Sequence, residues 1–329
     1  MKVAVLGAGA WGTALAARLA AQAETWLWAR NPELVGAMAS GRVNGRYLPD
    51  TRLPDALRIS ADLAAATAGA DYLISAVPTG GFRDLLQRLR ALDAPGGIVW
   101  LCKGFEGGTG KLAHEVLAEA WPGHPPAAAL SGPSFAKEVA AGLPTALTVA
   151  SENAEFAHRA ARDLHSGYLR LYSSTDVGGV EIGGAVKNVI AIAAGVSDGL
   201  NFGLNARAAL IARGLAEMTR LGLKLGGRLE TFLGLSGVGD LILTCTGDLS
   251  RNRQVGLRLA RGMTLPDILE ELHHVAEGVT TAREIDQLAE KLAVEMPITR
   301  TVRRILDREL SPREAVAALM NREIRDEGV

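Results

Sequence analysis

The sequence predicts an α/β protein with a Rossmann-type, doubly wound parallel sheet, followed by an all-α carboxyl-terminal domain. A strand pattern, Lys2–Leu6, leads directly into a glycine-rich turn and then into an alanine-rich helix, Thr13–Ala21. Further strand and helix patterns alternate, which is typical of a parallel sheet with helices on both faces. From about Gly178 the strand patterns stop and helical periodicity dominates.

Length and composition limit the classes of protein that this chain can represent. A chain of 329 residues is expected to form about two domains, which we place at residues 1–177 and 178–329. The formal net charge of -1 gives no bulk attraction to nucleic acid, and an aromatic content of 5% leaves little for base stacking. Two distant cysteines, Cys102 and Cys245, indicate a reducing compartment rather than a disulfide framework.

No targeting segment or membrane span is expected. The chain opens directly into a strand pattern, without a basic segment followed by a long apolar one. The most apolar segment, around Lys187, is interrupted by glycines. His273 and His274 are adjacent and point in different directions on a helix, so they form no metal pair. We therefore expect a cytoplasmic protein that binds neither metal nor membrane.

The first turn has the spacing of a dinucleotide-binding motif, Gly-x-Gly-x-x-Gly. Gly7 makes the tight turn, Gly9 lets the backbone approach a pyrophosphate, and Gly12 lets helix and strand pack closely. The amino terminus of the following helix offers N–H groups to the phosphates. A plain glycine-rich turn is the alternative, but the order of strand, turn and helix favours the nucleotide site.

The second strand pattern, Thr25–Ala29, sets the expected cofactor preference. Arg30 follows it, where a site restricted to NAD usually carries an acidic residue. An arginine accommodates a 2′-phosphate, so we expect NADP to be accepted as well as NAD. A solvated arginine at the end of a strand is an equally ordinary interpretation.

Three later strand patterns are Asp71–Val77, Gly97–Cys102 and Ala127–Ser131, with helical patterns between them. Ligands of such sheets gather at the carboxyl ends of the strands. Lys103 follows the second of these strands and is a candidate ligand for an anionic or carbonyl substrate. A generic surface lysine is the alternative.

Lys187 is the strongest candidate for chemistry. It lies in an apolar segment, Val180–Gly195, where its neighbours one helical turn away are small or apolar. An unpaired buried ammonium is costly and is tolerated where a proton must change hands. The alternatives are an ammonium that extends to water and one that meets a buried carboxylate.

Two segments, one rich in glycine and one rich in polar residues, interrupt the helical half and are interpreted as loops: Gly234–Thr246 and Leu249–Gln254. In the first, Asp240 is a candidate partner for Lys187, and a helix N-cap is its alternative role. In the second, Arg251 stands where a helix amino terminus can bind phosphate, and a solvated basic face is the alternative.

Motifs spread over nearly the whole chain together resemble one family. They are Gly7–Ala16, Leu130–Glu138, Gly183–Ile192, Leu235–Leu241, Thr244–Thr246, Ser250–Asn252, Val275–Gly278 and Met296–Thr299. The chain resembles the NAD(P)-dependent glycerol-3-phosphate dehydrogenases, in particular the bacterial soluble type. The lysine–asparagine and Gly-Asp-Leu segments are specific to that family, whereas the glycine motif alone is not.

The resemblance implies a role for each matching residue. Lys187 is the general acid/base, supported and oriented by Asp240 and Thr244. The substrate positions are matched by Lys103, Gly132, Ser134, Lys187, Asn188, Asp240, Ser250, Arg251 and Asn252. The cofactor positions are matched by Gly7, Gly9, Ala10, Trp11, Gly12, Arg30, Lys103, Ala136, Arg251, Val275 and Glu277. Some relatives carry serine at this position, so Ala10 is expected to lack one side-chain hydrogen bond while it keeps the backbone N–H.

The implied function is reversible, NAD(P)-dependent reduction of dihydroxyacetone phosphate to sn-glycerol 3-phosphate for glycerophospholipid synthesis, by a homodimer formed through the helical domain. A lysine whose pKa is lowered by apolar surroundings can donate the proton that this reaction needs. A related two-domain hydroxy-acid dehydrogenase is the alternative enzyme, although Ser250–Asn252 suits a phosphate better than a carboxylate. A protein that senses NADPH without turnover is the alternative of a different class.

Overall fold

The computed structural model describes residues 1–272 and 276–321. The chain divides into two compact units. The first contains Met1–Lys103 and Leu112–Val177, and the second contains Gly104–Lys111 and the chain from Gly178 onward. The short excursion of residues 104–111 out of the first unit was not predicted from the sequence.

The first unit is built on parallel strands. Its strands are β1 (Lys2–Leu6), β2 (Glu24–Trp28), β3 (Val43–Asn44), β4 (Leu48–Arg52), β5 (Arg58–Ser60), β6 (Tyr72–Ser75), β7 (Gly97–Trp100), β8 (Ala127–Ser131), β9 (Thr145–Ala150) and β10 (Leu169–Ser174). Within the described chain, eight of them form one sheet in the order β10-β9-β8-β7-β6-β1-β2-β5, and β3 pairs with β4 in a separate hairpin. The Rossmann-type prediction is therefore confirmed, with β1 central and the chain winding outward on both sides.

One pair in the sheet departs from the predicted parallel arrangement. β8 and β9 are antiparallel, whereas the other pairs in this sheet are parallel. The connection between β8 and β9 contains only a six-residue helix, Ala136–Ala141. That helix packs on Ala10–Leu19.

The helices of the first unit cover the sheet and fill its core. They are α1 (Ala10–Leu19), α2 (Pro32–Gly41), α3 (Leu63–Thr67), α4 (Phe82–Ala91), α5 (Ala113–Ala120), α6 (Ala136–Ala141) and α7 (Ala154–Asp163). Leu15 of α1 and Phe156 of α7 are almost fully buried with Val3, Val5 and Leu27 of the sheet. Helices packed on the sheet therefore bury its apolar side chains.

The second unit is helical in its described part, as predicted. Its helices are α8 (Val177–Gly199), α9 (Gly203–Lys224), α10 (Leu229–Leu233), α11 (Asp240–Thr246), α12 (Arg251–Ala260), α13 (Leu265–Leu272), α14 (Glu277–Lys291), α15 (Pro297–Leu306) and α16 (Pro312–Met320). The predicted capping box at the start of α16 is present, with Ser311 and Glu314 each accepting from the other's backbone N–H.

Helix α8 forms the core of this unit. Among the described residues it is the one helix long and apolar enough to cross a membrane, and 94% of its most apolar window is buried inside the protein. A β-carbon at Gly195 would lie 2.1 Å from the carbonyl oxygen of Arg253 on α12. The absence of a side chain at Gly195 thus lets α12 approach the backbone of α8 closely.

The excursion Gly104–Lys111 folds against α14. Glu106 and Lys111 form an isolated antiparallel bridge, and the backbone N–H of Gly108 donates to Oε1 of Glu284 at 3.0 Å. These contacts explain why the segment groups with the second unit although it lies in the sequence of the first.

Glu217 on α9 makes the stability of the second unit sensitive to pH. Its carboxylate is 1% exposed and accepts hydrogen bonds from the backbone N–H groups of Ile298 and Thr299 at 2.5 and 3.1 Å. Burial raises the pKa of Glu217 to about 7, and the hydrogen bonds from α15 together with the charge of Arg220 only partly oppose this. The folded protein therefore holds a proton here that the unfolded chain releases near the ordinary pKa of 4.5.

We expect the free energy of unfolding to fall as the pH rises. A raised pKa contributes stability that is fully present below pH 4.5 and lost as the pH passes through about 7. The contribution lost is about 3 kcal/mol, at about 1.4 kcal/mol per pKa unit. Denaturant unfolding of the wild type and of Glu217→Gln at several pH values measures it, because the glutamine variant lacks this titration. Parallel pH profiles for the two proteins would contradict the expectation.

Candidate active site

Lys187 is buried on α8 and has a carboxylate partner. The residue is 7% exposed, and Nζ donates hydrogen bonds to Oδ1 of Asp240 at 2.7 Å and to Oγ1 of Thr244 at 3.0 Å. Asp240 is only 2% exposed. The ammonium therefore does not extend to water, and the carboxylate offsets the cost of burying its charge.

Thr244 fixes the direction of hydrogen bonding around the amine. Its hydroxyl donates to the main-chain oxygen of Asp240 at 2.6 Å, one helical turn earlier. Because a hydroxyl has a single proton, its oxygen can only accept from Lys187. Asp240 and Thr244 therefore both accept hydrogen bonds from the amine and favour its ammonium form.

The segment Gly234–Thr246, interpreted from the sequence as a loop, is mostly helical, so that interpretation was wrong. A π-helical turn, Leu235–Gly239, continues directly into α11, whose first residue is Asp240. The N-cap of α11 is Gly239, so Asp240 does not have the alternative N-cap role. π-helical turns are often found at functional sites, and here the turn delivers the carboxylate to Lys187.

Gly183, one turn before Lys187 on α8, allows this turn to approach. A β-carbon at Gly183 would lie 2.5 Å from the carbonyl oxygen of Ser236, inside any normal contact distance. The bare backbone of α8 at this position thus sets the separation between α8 and the π-helical turn, and with it the distance from Lys187 to Asp240.

Cys245, the neighbour of Thr244, is not a nucleophile in this arrangement. Burial raises the pKa of the Cys245 thiol to about 12, and the nearby charge of Lys187 only partly opposes this. The thiol thus stays protonated at neutral pH, and cysteine nucleophiles act as thiolates. The amine is the group at this position that is suited to proton transfer.

The helix α12 begins next to Asn188. Ser250 is its N-cap and accepts from the backbone N–H of Arg253, and Arg251 is its first residue and is exposed. Asn252 donates from Nδ2 to Oδ1 of Asn188 at 3.0 Å. A helix opens at Ser250, as the sequence suggested, so residues 251–254 are helical and their interpretation as part of a loop was wrong. This helix start brings Asn252 into contact with Asn188, the neighbour of Lys187.

Arg253 holds the start of α12 and was not identified from the sequence. It is 7% exposed and donates to Oδ2 of Asp198 from Nε and from a terminal nitrogen, at 2.9 and 2.7 Å. Arg207 of α9 reaches the same carboxylate oxygen at 3.1 Å. Asp198 lies near the end of α8, so this cluster fixes α12 on the helix that carries Lys187. An arginine amid other charged residues gives no sequence signal of burial.

The glycine turn of the first unit has the geometry that its spacing predicts. Gly7 adopts φ +123°, and a β-carbon there would lie 2.7 Å from the carbonyl oxygen of Ala76. A β-carbon at Gly12 would lie 2.1 Å from the carbonyl oxygen of Gly7. Both positions therefore require glycine for the close packing of α1 on β1 and β6.

Other predicted residues of the first unit come together around the turn after β8. Nε1 of Trp11 donates to the carbonyl oxygen and to Oγ of Ser134 at 3.2 and 3.1 Å. Nζ of Lys103 donates to the carbonyl oxygen of Gly132 at 3.3 Å. Trp11 and Lys103 thus both contact the same short turn, residues 132–134.

The remaining predicted residues have simpler positions. Ala10 is the first residue of α1, Ala136 is the first of α6, and Arg30 is exposed two residues after β2. Glu277 is the first residue of α14. Val275 lies outside the described residues. These remaining residues thus lie at helix starts or just beyond the end of a strand.

Two family models cover almost the whole chain. The model described as NAD-dependent glycerol-3-phosphate dehydrogenase N-terminus matches residues 2–157, and the corresponding C-terminus model matches residues 176–317. The chain belongs to the NAD-dependent glycerol-3-phosphate dehydrogenase family. It is therefore an oxidoreductase that uses NAD or NADP, as the sequence resemblance implied.

Individual members of this dehydrogenase family are similar over their full length. A glycerol-3-phosphate dehydrogenase [NAD(P)+] of Thiobacillus denitrificans is 60% identical over 327 residues, which cover 99% of this chain and 100% of that protein. The crystal structure of a glycerol-3-phosphate dehydrogenase from Coxiella burnetii has a TM-score of 0.93 at 44% identity and covers 98% of this chain and 99% of that one.

The dehydrogenase fold is also shared outside the family. A D-mandelate dehydrogenase solved with NADH has a TM-score of 0.61 at 14% identity, covering 94% of this chain and 98% of that one. At that identity the likeness shows the fold alone. Hydroxy-acid enzymes thus use the same architecture, while the family match separates this chain from them.

The residues of the first unit fit the nicotinamide dinucleotide that the family uses. A β-carbon at Gly9 would come within 4 Å of no atom in the described part of the chain outside its own neighbours, so packing does not explain this glycine. Close approach of a pyrophosphate to the backbone does explain it. Gly9 is the N-cap of α1. The first N–H groups of that helix lie at its amino terminus, which is also the positive end of the helix dipole and favours an anion.

Proposed function

We propose that this chain reduces dihydroxyacetone phosphate to sn-glycerol 3-phosphate reversibly, using NADPH or NADH, and supplies glycerophospholipid synthesis. The observation that carries the proposal is the buried contact of Lys187 with Asp240 and Thr244 in a chain of this family. The first unit is the dinucleotide-binding domain and the second unit supplies the substrate residues.

Lys187 is the general acid/base in this proposal. The bound nicotinamide supplies the hydride that reaches the carbonyl carbon. As negative charge develops on the carbonyl oxygen, the ammonium of Lys187 donates a proton to it. Asp240 and Thr244 accept hydrogen bonds from the same amine, so they keep it protonated and fix its position. In the reverse direction the neutral amine takes the proton from the hydroxyl group.

Arg251 is proposed to bind the phosphate of the substrate. It is exposed at the first turn of the ten-residue helix α12, where the dipole and a guanidinium both favour an anion. Ser250 caps the same helix, and Lys103, Gly132 and Ser134 are proposed substrate contacts of the first unit. Binding the phosphate at a fixed distance from the reacting carbon contributes orientation as well as affinity.

We also propose a homodimer formed through the second unit, in the cytoplasm. Large apolar side chains of that unit are exposed, including Leu204, at 70%, and Leu233, at 57%. Burying such side chains against a second copy is favourable at about 25 cal/mol per Å² of apolar surface.

The proposed reaction is tested by following the oxidation of NADPH and of NADH separately, with dihydroxyacetone phosphate as the acceptor. We expect turnover with both nucleotides, because Arg30 accommodates a 2′-phosphate without excluding NAD. Phenylglyoxylate and unphosphorylated dihydroxyacetone are the control acceptors. Faster turnover of the 2-oxo acid would favour the hydroxy-acid alternative, and nucleotide binding without turnover of any acceptor would favour a sensor.

A further inference from the structure

Asn44 is a fully buried polar side chain of the first unit that the proposed function does not use. It is the last residue of β3 and is 0% exposed. Its Nδ2 donates hydrogen bonds to the main-chain oxygen of Ala8 at 2.9 Å and to Oγ1 of Thr13 at 2.8 Å. Ala8 lies in the glycine turn and Thr13 in the helix that follows it. Asn44 therefore connects the β3–β4 hairpin to the dinucleotide-binding motif.

The orientation of the Asn44 amide is set by its own hairpin. The backbone N–H of Tyr47 donates to Oδ1 of Asn44 at 3.2 Å. A backbone N–H can only donate, so the amide oxygen must face Tyr47. The amide nitrogen then faces Ala8 and Thr13, and both of its hydrogens have acceptors. The hairpin thus presents Asn44 to the glycine turn as a hydrogen-bond donor.

The hydrogen bond to Ala8 fixes the peptide group between Ala8 and Gly9. No cis peptide bond occurs among the described residues, and in a trans peptide the C=O and the N–H point in opposite directions. Because the oxygen of Ala8 faces Asn44, the N–H of Gly9 points away from Asn44. Gly9 is the N-cap of α1, so this N–H adjoins the N–H groups of the first helical turn.

The β3–β4 hairpin has attachments of its own to the rest of the first unit. Leu48 of β4 is 1% exposed and packs in a small buried cluster with Ala14 of α1 and Val139 of α6. This cluster holds the hairpin on two helices without using Asn44. The hairpin can therefore act as a fixed support for the Asn44 amide, and it remains attached when that amide is removed.

We propose that Asn44 is a positioning residue of the dinucleotide site, which holds the Ala8–Gly9 peptide so that the N–H of Gly9 faces the pyrophosphate of the cofactor. If this peptide turned over, the oxygen of Ala8 would face the phosphates in place of an N–H group and would repel them. The inference rests on the proposed function, in which the first unit binds the dinucleotide. It assigns Asn44 to the pyrophosphate and not to the adenosine.

The competing explanation is that Asn44 only attaches the hairpin. Two ligands separate the explanations. NADPH contains the pyrophosphate, whereas adenosine 2′-phosphate contains the adenine, the ribose and the 2′-phosphate without it. Loss of positioning weakens the binding of NADPH alone, whereas a displaced hairpin weakens both ligands alike. NADPH binding is measured by fluorescence titration, and adenosine 2′-phosphate is measured by its displacement of NADPH.

We expect Asn44→Ala to raise the Kd of NADPH about tenfold or more, the size associated with a buried acceptor that loses its donor. The Kd of adenosine 2′-phosphate is expected to change by less than about threefold, as for a site that is independent of the substitution. Equal losses for the two ligands, or an unchanged Kd of NADPH, would overturn the proposal.

Leu48→Ala is the matched structural control. Leu48 lies opposite Asn44 in the hairpin register, and its truncation loosens the hairpin without removing the donor to Ala8. We expect this variant to unfold at a lower temperature than the wild type, while the ratio of its two Kd values stays within about threefold of the wild-type ratio. A change in that ratio as large as the change in Asn44→Ala would show that any damage to the hairpin has this effect, and would overturn the proposal.

A second variant serves if Asn44→Ala does not fold. Asn44→Leu fills the same space with an uncharged side chain and leaves no cavity, but it gives no hydrogen to Ala8. The same pair of affinities is expected to separate by about tenfold in this variant, and equal losses would again overturn the proposal. A wild type that does not bind NADPH would remove the proposed function itself, whereas normal wild-type binding with equal losses in the variants would remove only the role of Asn44.

Discussion

Replacing Lys187 by alanine is expected to reduce kcat for dihydroxyacetone phosphate by a factor of about 10² to 10⁴, the range associated with loss of a general acid. The amine is the group that meets the developing charge, and neither Asp240 nor Thr244 replaces it, because both act as acceptors toward Lys187. NADPH binding, measured by fluorescence titration, is expected to persist, since the dinucleotide turn lies in the first unit. Unchanged kcat would remove Lys187 from the mechanism.

A control for Lys187→Ala must account for Asp240, whose carboxylate stays buried in the variant without its partner. Removing one partner of a buried pair costs about 3–5 kcal/mol of stability, because Asp240 stays buried without a counter-charge. The double variant Lys187→Ala, Asp240→Asn removes that charge and is expected to be more stable and equally inactive. Lys224→Ala, at an exposed lysine at the end of α9, is expected to keep full activity.

Asp240→Asn is expected to lower turnover in the reducing direction about tenfold or more at neutral pH, as for a lost acid in general acid catalysis. The asparagine keeps the shape of the side chain but removes the charge that holds Lys187 as an ammonium. Burial then favours the neutral amine, which has no proton to donate. Turnover of the variant should therefore rise as the pH is lowered through a range where the wild type changes little.

A pH–rate profile of kcat/KM measures this effect. Thr244→Val is the matched comparison, because it removes a neutral acceptor from the same amine at 3.0 Å and leaves the charge of Asp240 in place. Its loss is expected to be smaller and to vary little with pH. A profile of Asp240→Asn that runs parallel to the wild type would mean that Asp240 does not control the protonation of Lys187.

Much of the first unit was predictable from local patterns. Strand, glycine turn and helix follow one another within Lys2–Ala21, so short-range signals are sufficient there. The strands β9 and β10 were not predicted, and the reversal of β8 against β9 depends on where the short helix α6 packs. A sequence pattern gives the period of an element but not the direction in which a neighbouring strand runs.

The predicted contacts of Lys187 are present, whereas the backbone shape of the segment that provides them was predicted wrongly. Lys187 contacts Asp240 and Thr244 as expected, because a buried charge is costly unless it is paired with an opposite charge. Gly234–Thr246 was interpreted as a loop because glycine is a poor helix former. The structure shows one reason for glycine in this helical segment: a β-carbon at Gly237 would lie 2.0 Å from the carbonyl oxygen of Phe232.

Other parts of the site gave no usable sequence signal. Gly278 donates a hydrogen bond from its backbone N–H to Oδ1 of Asn252. Every residue except proline has this N–H, so the contact depends only on where α14 begins. Arg253 is buried although arginine is usually exposed, and one of its two carboxylate partners, Asp198, is distant in sequence. Such roles can be recognised only from the three-dimensional structure.

The path of the chain through residues 104–111 limits how this protein can be dissected. A gene cut between Val177 and Gly178 would leave those eight residues on the amino-terminal fragment, away from Glu284, the side chain that accepts from Gly108. The carboxyl-terminal fragment would in turn lack residues 104–111, which belong to its compact unit. Clean separation requires a bridging linker from Lys103 to Leu112 in one product and the missing octapeptide, added or fused, in the other.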